Sequence, residues 1–388
     1  MKRDFAETLR CPACRHDGTL ALAEHEDDGR EVREGELRCA NCATVFPLHR
    51  GVPELLHDPP RHVLAEAAGL ERFAAKMRQE GWTRQTVLDL PYLDHGYWYV
   101  QARSMHQLLT TVPFSPGQSV LDVGSNTCWA ANHFAERGLR AVALDIATPE
   151  LQGLYTADWF LESGEVFFER VLGSMDAIPL ASSSLDYVYC CEVLHHNDSD
   201  GLRRTFAEIF RVLRPGGRLL MVNETLKTLR DPQGLHVDAV AEYEGYEHAH
   251  WAVQYRGEAI RAGFLTEVIE PHYVAYFGDA VLLGDSSAGA FRRLLRRLGF
   301  MTRRLPPARR AYLAWLNHVA GGVSMNMIAA KPHRYIGRHE GVRPAERAVR
   351  RLAAAARRPV DRRRGVEAPR LPRTPEQAAA IARAGGVG

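Results

Sequence analysis

Residues 119–128 read SVLDVGSNTC, an apolar run that ends in Asp122-Val123-Gly124 and continues into a polar turn. A buried strand with this ending is typical of a nucleotide-cofactor site in an α/β sheet. Loops of that kind are usually rich in glycine, yet this one has a single Gly, and Asn126 and Cys128 stand where further glycines are expected. The stretch therefore predicts a strand followed by a cofactor loop of unusual composition.

The chain around this stretch alternates between short apolar runs and amphipathic segments, a pattern that indicates strands connected by helices. Such alternation predicts an α/β fold, namely a Rossmann-like, seven-stranded, mostly parallel sheet with helices on both faces. The predicted strands lie at 119–124, 139–146, within 164–181, within 184–196, where the strand runs into a loop, at 218–224, within 264–277 and at 323–332, and predicted helices lie at 126–138 and 201–217. The polar, histidine-rich segment 225–256 is predicted to be loop and short helix.

Composition places the chain among ordinary globular proteins. It has 388 residues, of which 46% are apolar and 25% charged, and at roughly 150 residues a domain this length predicts two to three domains. The sequence has no run of about 18 or more uncharged apolar residues, as a membrane span requires. Its first residues lack the apolar core of a signal peptide. We therefore expect a cytoplasmic protein without a transmembrane segment.

The net charge of +2 hides an uneven distribution of charge along the chain. Residues 331–388 hold 15 Lys and Arg against 5 Asp and Glu, whereas the preceding 330 residues hold 34 against 42. The segment 333–388 is predicted to be a basic, disordered tail, because its Arg, Ala, Pro and Gly leave it little to bury. A basic tail can also bind nucleic acid or anionic membranes, and that alternative stays open.

Four cysteines near the N-terminus form two C-x2-C pairs, CPAC (11–14) and CANC (39–42), separated by 24 residues. In a cytoplasmic chain this spacing indicates a metal site rather than disulfides. Two such turns complete a tetrahedral four-thiolate site that suits zinc, with no position left open for catalysis. The predicted ligands are Cys11, Cys14, Cys39 and Cys42. We expect a structural, β-rich zinc ribbon over residues 1–56, with a β-hairpin between the two pairs.

The same region resembles a known family. The segments LRCPAC (9–14) and GELRCANCATVFPLHRGVPELL (35–56) are similar to the zinc-ribbon module related to the activator subunit of tRNA methyltransferases. That module often ends in aromatic-Pro-x-x-x-Gly-x-Pro, which Phe46-Pro47 and Gly51-Val52-Pro53 match. The resemblance covers most of residues 1–56.

Polar and sulfur-containing residues follow four of the predicted strands, and in an open α/β sheet such strand ends line the ligand site. They are Asp122, Gly124, Ser125 and Asn126 after the first strand, Asp145 at the end of the second, Ser174, Met175 and Asp176 after the third, and Cys190, Cys191 and Glu192 at the end of the fourth. An acid that ends the second strand suits a ribose diol. The loop has neither G-x-G-x-x-G nor GK[ST] to cradle phosphates. This combination indicates S-adenosylmethionine, a cation without phosphates, rather than a dinucleotide.

Residues 119–222 resemble the class I S-adenosylmethionine-dependent methyltransferases. The matching segments, in order, are VLDVGSNTC, VALDI, GSMDAIPLASSSLDYVYCCEVLHH and AEIFRVLRPGGRLLMV. The resemblance implies that Asp122 and Gly124 flank the methionine part of the cofactor, and that Asp145 holds the ribose hydroxyls. It also implies that Met175 packs on the adenine and that Asp176 accepts its amino hydrogens. The predicted cofactor-binding set is completed by Ser125, Asn126 and Cys191. The sequence departs from the family's D-x-G-x-G-x-G at Asn126 and Cys128.

Methyl transfer from a sulfonium requires an aligned nucleophile and, for an alcohol or phenol, removal of a proton. Histidine titrates in a suitable range for that task. The predicted catalytic residues are His195, His196, Glu247 and His248, with Glu224 and His250 as further candidates. Each could instead shape the pocket through hydrogen bonds alone. Another alternative is a metal site, although the spacing of its residues fits no template. Its ligands would be His236, Asp238, Glu247 and His248.

Two further regions adjoin these motifs. Residues 57–118 are predicted to form a helical linker and cap, and residues 119–332 the methyltransferase domain, with a helical insertion near 288–320. Leucines occupy one face of the first helix of that insertion, and the other faces carry Arg292, Arg293, Arg296 and Arg297. The insertion could be a lid that grips an anionic or lipid-linked substrate or a membrane surface. It could equally be a helix packed on the domain with solvated arginines.

Three functions are compatible with the sequence. The first is methyl transfer to a small-molecule acceptor, such as a natural product, sugar or lipid-linked intermediate, and the large insertions after the fifth strand favour it. The second is methylation of rRNA or tRNA, held by the zinc ribbon and the basic tail. The acidic ribbon segment EHEDDGREVREGE (24–36) argues against RNA. The third is a non-catalytic interaction scaffold.

Overall fold

The computed structural model describes residues 1–93, 96–162, 164–230, 232, 247–269, 305–319 and 324–333. Within them the chain forms a small antiparallel sheet at the N-terminus and a large mixed sheet with helices, so the predicted α/β class is confirmed. Across these ranges, no helix is both long and apolar enough to cross a membrane.

The N-terminal unit is a 3-10 turn followed by four strands that pair in chain order. Its elements are the turn Arg3–Thr8 and the strands β1 (Leu20–Asp27), β2 (Val32–Cys39), β3 (Val45–His49) and β4 (Val52–Pro53). β1 and β2 pair antiparallel, with Leu20 opposite Cys39. This is the hairpin that the sequence predicted, and it returns the second cysteine pair to the first.

The large sheet contains the remaining strands. They are β5 (Ser119–Val123), β6 (Arg140–Asp145), β7 (Glu169–Leu172), β8 (Leu185–Cys191), β9 (Leu213–Lys227), β10 (His250–Trp251), β11 (Leu265–Ile269) and β12 (Ser324–Ala330). The sheet order is β11-β12-β9-β8-β5-β6-β7, with the short β10 beside β9. β5 to β9 run parallel to one another, and β12 runs antiparallel to β9 and β11. The carboxyl ends of the parallel strands therefore lie at one edge, where the polar residues were predicted to meet.

Eight helices lie within the described ranges. They are α1 (Arg61–Gln79), α2 (Arg84–Leu88), α3 (Gly96–Thr111), α4 (Trp129–Ala135), α5 (Ala157–Leu161), α6 (Ser199–Val212), α7 (Ala252–Ala262) and α8 (Pro306–His318). Asp198 caps the N-terminus of α6, because its side chain accepts the N–H of Gly201 at 2.7 Å. It ends earlier than the predicted helix 201–217, because Pro215 disfavours a helical Arg214. Residues 213–217 belong to β9 instead.

Several predictions fall partly or wholly outside the described residues. Of the insertion 288–320, only 305–319 are described; they contain α8, whereas the segment with the four arginines lies outside. Of the predicted strand within 264–277, β11 is described. The tail beyond residue 333 and the metal candidates His236 and Asp238 also lie outside.

The N-terminal unit packs against the β7 edge of the large sheet. Glu54, just after β4, forms a parallel bridge with Leu172 of β7, and the amide of Leu55 donates to the Leu172 carbonyl at 2.8 Å. On the other side of the same segment, Leu9 forms an antiparallel bridge with Leu180. Apolar side chains of both parts belong to one buried cluster. The N-terminal unit therefore holds both ends of the segment that carries the predicted adenine-contacting residues.

Candidate active site

The loop between β5 and α4 keeps the backbone shape of a glycine-rich loop. Gly124, Asn126 and Cys128, the three expected glycine positions, have φ angles of +66°, +48° and +61°. Left-handed backbone costs a residue with a side chain roughly 1–2 kcal/mol, and Asn tolerates it better than most. At Gly124 a side chain would force Val193 to shift, because a Cβ would lie 2.3 Å from Cγ2 of Val193. The loop is thus an intact turn built with two non-glycine residues.

Cys128 ends this loop as the N-terminal cap residue of α4. Its amide donates to the carbonyl of Ser125 at 2.8 Å, and its side chain is fully buried in the apolar core below the loop. Burial raises the pKa of the Cys128 thiol well above its usual range. Cys128 is therefore a small packing residue and not a reactive thiol.

Asp145 connects the end of β6 to the cofactor loop. Its Oδ2 accepts the N–H of Asn126 at 2.8 Å, and its Oδ1 accepts the N–H of Ala147 at 3.0 Å. The side chain of Asn126 in turn donates to Oε1 of Gln152 at 2.7 Å. Each oxygen of an ionised carboxylate can accept a second hydrogen bond. Asp145 is therefore fixed in place and can still receive a ligand hydroxyl.

Asp122 is a second buried carboxyl group at the same edge. Its Oδ2 accepts the hydroxyl of Ser125 at 2.6 Å. Burial raises the pKa of Asp122 to about 7 and that of Asp145 to about 6. Neighbouring acids raise both pKa values further, since the charge of Asp145 acts on Asp122 and that of Glu66 acts on Asp145. Buried acids that repel one another favour a positively charged ligand, which would stabilise their ionised forms.

A third acid, Glu66, approaches this edge from α1, and no motif in the sequence pointed to it. Oε1 of Glu66 lies 2.8 Å from Nδ1 of His196. Its charge also adds to the rise in the pKa of Asp145, which burial mainly causes. Glu66 lies in helical register with the buried Val63 and Leu70. A glutamate on an apolar helix face is unusual enough to have signalled a buried partner.

The predicted adenine-contacting residues lie in a 3-10 turn directly after β7. Met175 is partly buried, and its sulfur accepts a hydrogen bond from Nδ2 of Asn197 at 3.1 Å. Asp176 accepts hydrogen bonds from Oγ of Ser174 at 2.6 Å and from Nε of Arg204 at 2.9 Å. Because the Arg204 side chain is 52% exposed, Asp176 lies at the solvent border of the site.

Cys191, at the end of β8, contacts a polar network from α3. Its Sγ donates to Oε1 of Gln101 at 3.1 Å, and the same oxygen accepts Nδ2 of Asn223 at 3.2 Å. The hydroxyl of Ser104 donates to Oδ1 of Asn223 at 2.9 Å. α3 therefore covers the ends of β8 and β9. No motif in the sequence pointed to Gln101 or Asn223.

Two of the predicted catalytic residues, His195 and His196, share a 3-10 turn after β8. Their ring centroids are 4.4 Å apart. Nδ1 of His195 lies 3.2 Å from Oε2 of Glu224 on β9. Val193, which directly precedes this turn, packs on Gly124. The histidine pair therefore adjoins the cofactor loop.

The other two predicted catalytic residues, Glu247 and His248, precede β10 in the same neighbourhood. The amide of His248 donates to the carbonyl of His195 at 2.6 Å, and burial lowers the pKa of the His248 ring. The ring of His250 is hydrogen-bonded to the backbone, because its Nε2 donates to the carbonyl of Asn197 at 2.8 Å. The structure therefore places these segments beside the His195–His196 turn.

The four cysteines converge in the N-terminal unit. Their Sγ atoms all lie within 4.8 Å of one another, with Cys11 to Cys42 at 3.7 Å and Cys14 to Cys39 at 3.6 Å. A tetrahedral zinc ion with Zn–S bonds of about 2.3 Å separates its sulfur ligands by about 3.8 Å. The donor set and its spacing fit zinc.

Comparison with protein families finds one match in the N-terminal unit and one in the large sheet. Residues 121–221 match the model of a methyltransferase domain, and residues 2–51 match that of Trm112p-like proteins. The chain thus contains a class I methyltransferase domain of the S-adenosylmethionine-dependent type. A Trm112p-like module precedes that domain, as the N-terminal resemblance implied.

Curated relatives and solved structures show similarity over part of the chain. Sterol 24-C-methyltransferase of Schizosaccharomyces pombe is 30% identical over 147 residues, covering 37% of this chain and 38% of that protein. Malonyl-[acyl-carrier protein] O-methyltransferase of Pectobacterium atrosepticum is 31% identical over 121 residues, covering 30% and 43%. A phosphoethanolamine N-methyltransferase 2 structure from Haemonchus contortus has a TM-score of 0.43 at 16% identity, covering 69% of this chain and 60% of that one. The chain therefore spans less than half the length of the two curated relatives.

Proposed function

We propose that this protein transfers a methyl group from S-adenosylmethionine to a small-molecule acceptor. The observation that carries the proposal is the convergence of Asp122, Asp145 and Glu66 at the carboxyl edge of a methyltransferase sheet. Three largely buried acids favour a cationic ligand, and S-adenosylmethionine brings a sulfonium and an ammonium. The left-handed loop of residues 124–128 would follow the methionine part.

Each predicted cofactor residue takes a role in this proposal. Asp145 would accept the ribose hydroxyls, Met175 would pack on the adenine, and Asp176 would accept the adenine amino hydrogens. Thr127 adds a donor, because its hydroxyl is buried and has no hydrogen-bond partner among the described residues. The pocket wall would be completed by Asp122, Gly124, Ser125, Asn126 and Cys191. His195, His196, Glu247 and His248 would face the acceptor.

We further propose that the four-cysteine cluster holds a structural zinc ion. All four ligand positions are occupied by thiols, so none is left for a substrate or an activated water. The sulfur spacing and the hairpin support this role. When bound, the metal would stabilise a unit that is too small to rely on its own core.

A small-molecule acceptor is favoured over RNA by the charge of the protein. Residues 1–330 carry more acids than bases, and RNA binding depends on cationic contacts to phosphates. The two curated relatives are named for a sterol and for a malonyl-carrier substrate. With methyl-labelled cofactor and a cell extract, we expect label in the small-molecule fraction. Label in RNA would contradict a small-molecule acceptor and support RNA as the acceptor.

Calorimetry should detect binding of S-adenosylmethionine to the full chain. We expect Asp145→Ala to weaken it roughly ten- to a hundredfold, because a hydrogen bond to a charged acceptor contributes about 1.5–3 kcal/mol. The matched control is Asp200→Ala, which removes an exposed aspartate of α6. Absence of binding by the unaltered protein, or equal affinity of the Asp145 variant, would contradict the proposed cofactor site.

Cofactor binding should release protons near neutral pH. In the free protein the pKa of Asp122 is about 7 and that of Asp145 about 6, and a bound cation would lower both. Affinity should therefore rise between pH 5.5 and 8 by up to about tenfold per pH unit for each proton released. Conversely, the ligand-free fold should lose stability as pH rises from about 4 to 7, since the unfolded carboxyl groups ionise first. Calorimetry in two buffers of different ionisation enthalpy measures the release; a value of zero at pH 6.5 would refute the coupling.

The shape of the cofactor loop should tolerate glycine but not a branched residue at position 128. Cys128→Gly relieves a left-handed side-chain conformation and should keep cofactor affinity within a few-fold. Cys128→Val should reduce it by more than tenfold, because a β-branched residue at φ of +61° is strained. Isothermal titration of both variants measures the difference, and equal affinities would show that the loop adjusts freely.

A further inference from the structure

Glu224 is a fully buried glutamate whose carboxylate accepts three hydrogen bonds. It lies on β9 just beyond Val222, the residue that pairs with the last residue of β8. Its Oε1 accepts the amides of Val193 and Leu194 at 3.0 and 2.9 Å. Its Oε2 lies 3.2 Å from Nδ1 of His195. The two backbone donors fix one oxygen, so the other oxygen faces the histidine in a single orientation.

This orientation selects one protonation pattern of the histidine ring. Oε2 of Glu224 can accept only if Nδ1 of His195 carries the proton, and a neutral ring then has a bare Nε2. Within the described residues, no hydrogen bond occupies that Nε2. His195 is largely buried, at 5% exposure, and belongs to the turn that packs on the cofactor loop. A bare Nε2 can accept a proton, and the turn that carries it adjoins the loop at which the methyl donor is expected.

We propose that His195 is the general base of the reaction, that Glu224 is its positioning residue, and that the acceptor is a neutral hydroxyl group. This inference rests on the proposed methyl transfer and adds the class of acceptor. The hydroxyl oxygen forms a bond to the methyl carbon while the bond from that carbon to sulfur breaks and its electron pair returns to sulfur. The hydroxyl proton passes to Nε2 of His195. Glu224 then stabilises the imidazolium, as carboxylates do beside catalytic histidines.

An acceptor that is already anionic would not need this arrangement. A carboxylate oxygen carries its charge before the reaction, and no base has to remove a proton from it. His196 is paired instead with Glu66, which belongs to α1 and not to the sheet. Of the two adjacent histidines, His195 is thus the one oriented by a carboxylate of the sheet and by the backbone of its own turn.

Glu224→Gln tests the positioning role with almost no change in shape. The amide can still accept from the backbone through its oxygen, but it presents N–H to His195, so the ring should shift its proton to Nε2. In the full chain loaded with S-adenosylhomocysteine, labelling with nitrogen-15 histidine reports which nitrogen carries the proton, and His195→Gln identifies the signal. We expect Nδ1–H in the unaltered protein and Nε2–H in Glu224→Gln. If the neutral His195 ring of the unaltered protein carries its proton on Nε2, that result alone overturns the proposal.

Methyl transfer from labelled cofactor to small molecules of a cell extract gives the second readout. We expect Glu224→Gln to slow it about 10²–10⁴-fold, the usual contribution of general base catalysis, while cofactor affinity in calorimetry stays within a few-fold. Glu136→Gln is the matched control, because it alters another His–Glu pair, in which the exposed Glu136 lies 2.8 Å from His133. Transfer retained within threefold in Glu224→Gln would overturn the role of Glu224. Loss of cofactor binding by the unaltered protein would instead contradict the proposed function.

Discussion

Removal of the metal from the four-cysteine site should abolish the fold of the N-terminal unit and weaken binding of S-adenosylmethionine. Structural zinc contributes about 10–16 kcal/mol of apparent binding free energy in zinc-finger peptides, more than the core of so small a unit supplies. The unit holds Leu172 and Leu180 on either side of the turn that carries Met175 and Asp176. Without the folded N-terminal unit, the turn that carries Met175 and Asp176 would adopt the binding geometry for only part of the time. The apparent affinity for the cofactor would fall in proportion to that fraction.

Cys39→Ser and chelation both test this coupling. We expect less than one zinc per chain in each case and a cofactor affinity reduced roughly tenfold or more. The matched control is His25→Ser, which alters an exposed residue of β1 outside the cysteine turns, and re-addition of zinc should restore the chelated protein. A zinc-free chain that binds the cofactor with unchanged affinity would show that the two sites are independent.

The architecture of the sheet and the location of the strand-end residues could be predicted from the sequence because both follow from local patterns. Apolar runs predict the strands, and parallel strands must present their carboxyl ends at one edge. Their partners could not be predicted, since a pairing such as His195 with Glu224 depends on how distant segments pack. The positive φ of Cys128 was also hidden, because residue type alone does not predict a left-handed cysteine.

One unpredicted feature had a visible signal. Glu169 and Arg170 interrupt an otherwise apolar strand, and Arg170 is completely buried in the structure. Charged side chains are seldom fully buried unless they are paired. The resemblance to the Trm112p-like module also gains a physical reason, since a Cβ at Gly51 would lie 2.5 Å from Nη2 of Arg170. The glycine of that motif lets the module approach the buried charge.

Arg170 joins the two parts of the chain through a network of alternating charges. Its guanidinium contacts Glu31 of the N-terminal unit, and its Nη1 lies 2.7 Å from Oδ1 of Asp158. Arg33 contacts the same two acids, at 2.7 Å and 3.1 Å. Arg50 adds a contact of 2.8 Å to Asp158. Three arginines and two acids therefore connect the N-terminal unit to α5 and β7.

Arg170→Met should destabilise this junction by up to about 3 kcal/mol, because it removes the completely buried cation that Glu31 and Asp158 share. Arg33 would still contact both acids, so the loss should stay below that of a charge without any partner. Hydrogen exchange of the Leu55 amide, which donates to Leu172 across the junction, measures the loss as a lower opening free energy. As a control, Arg3→Met removes the ion pairs of a side chain that is 63% exposed. Surface ion pairs contribute about 0–1 kcal/mol. The hydrogen exchange of the Leu55 amide should therefore change little in Arg3→Met.

A second substitution separates loss of the charge pair from loss of packing. If the loss of positive charge beside Glu31 causes the damage, adding Glu31→Met to Arg170→Met should recover part of the stability, since apolar residues often replace a buried ion pair without cost. Arg33 would keep its contact with Asp158 in the double variant. Strictly additive losses would instead mean that each side chain stabilises the junction by packing, and that the network of charges contributes nothing of its own.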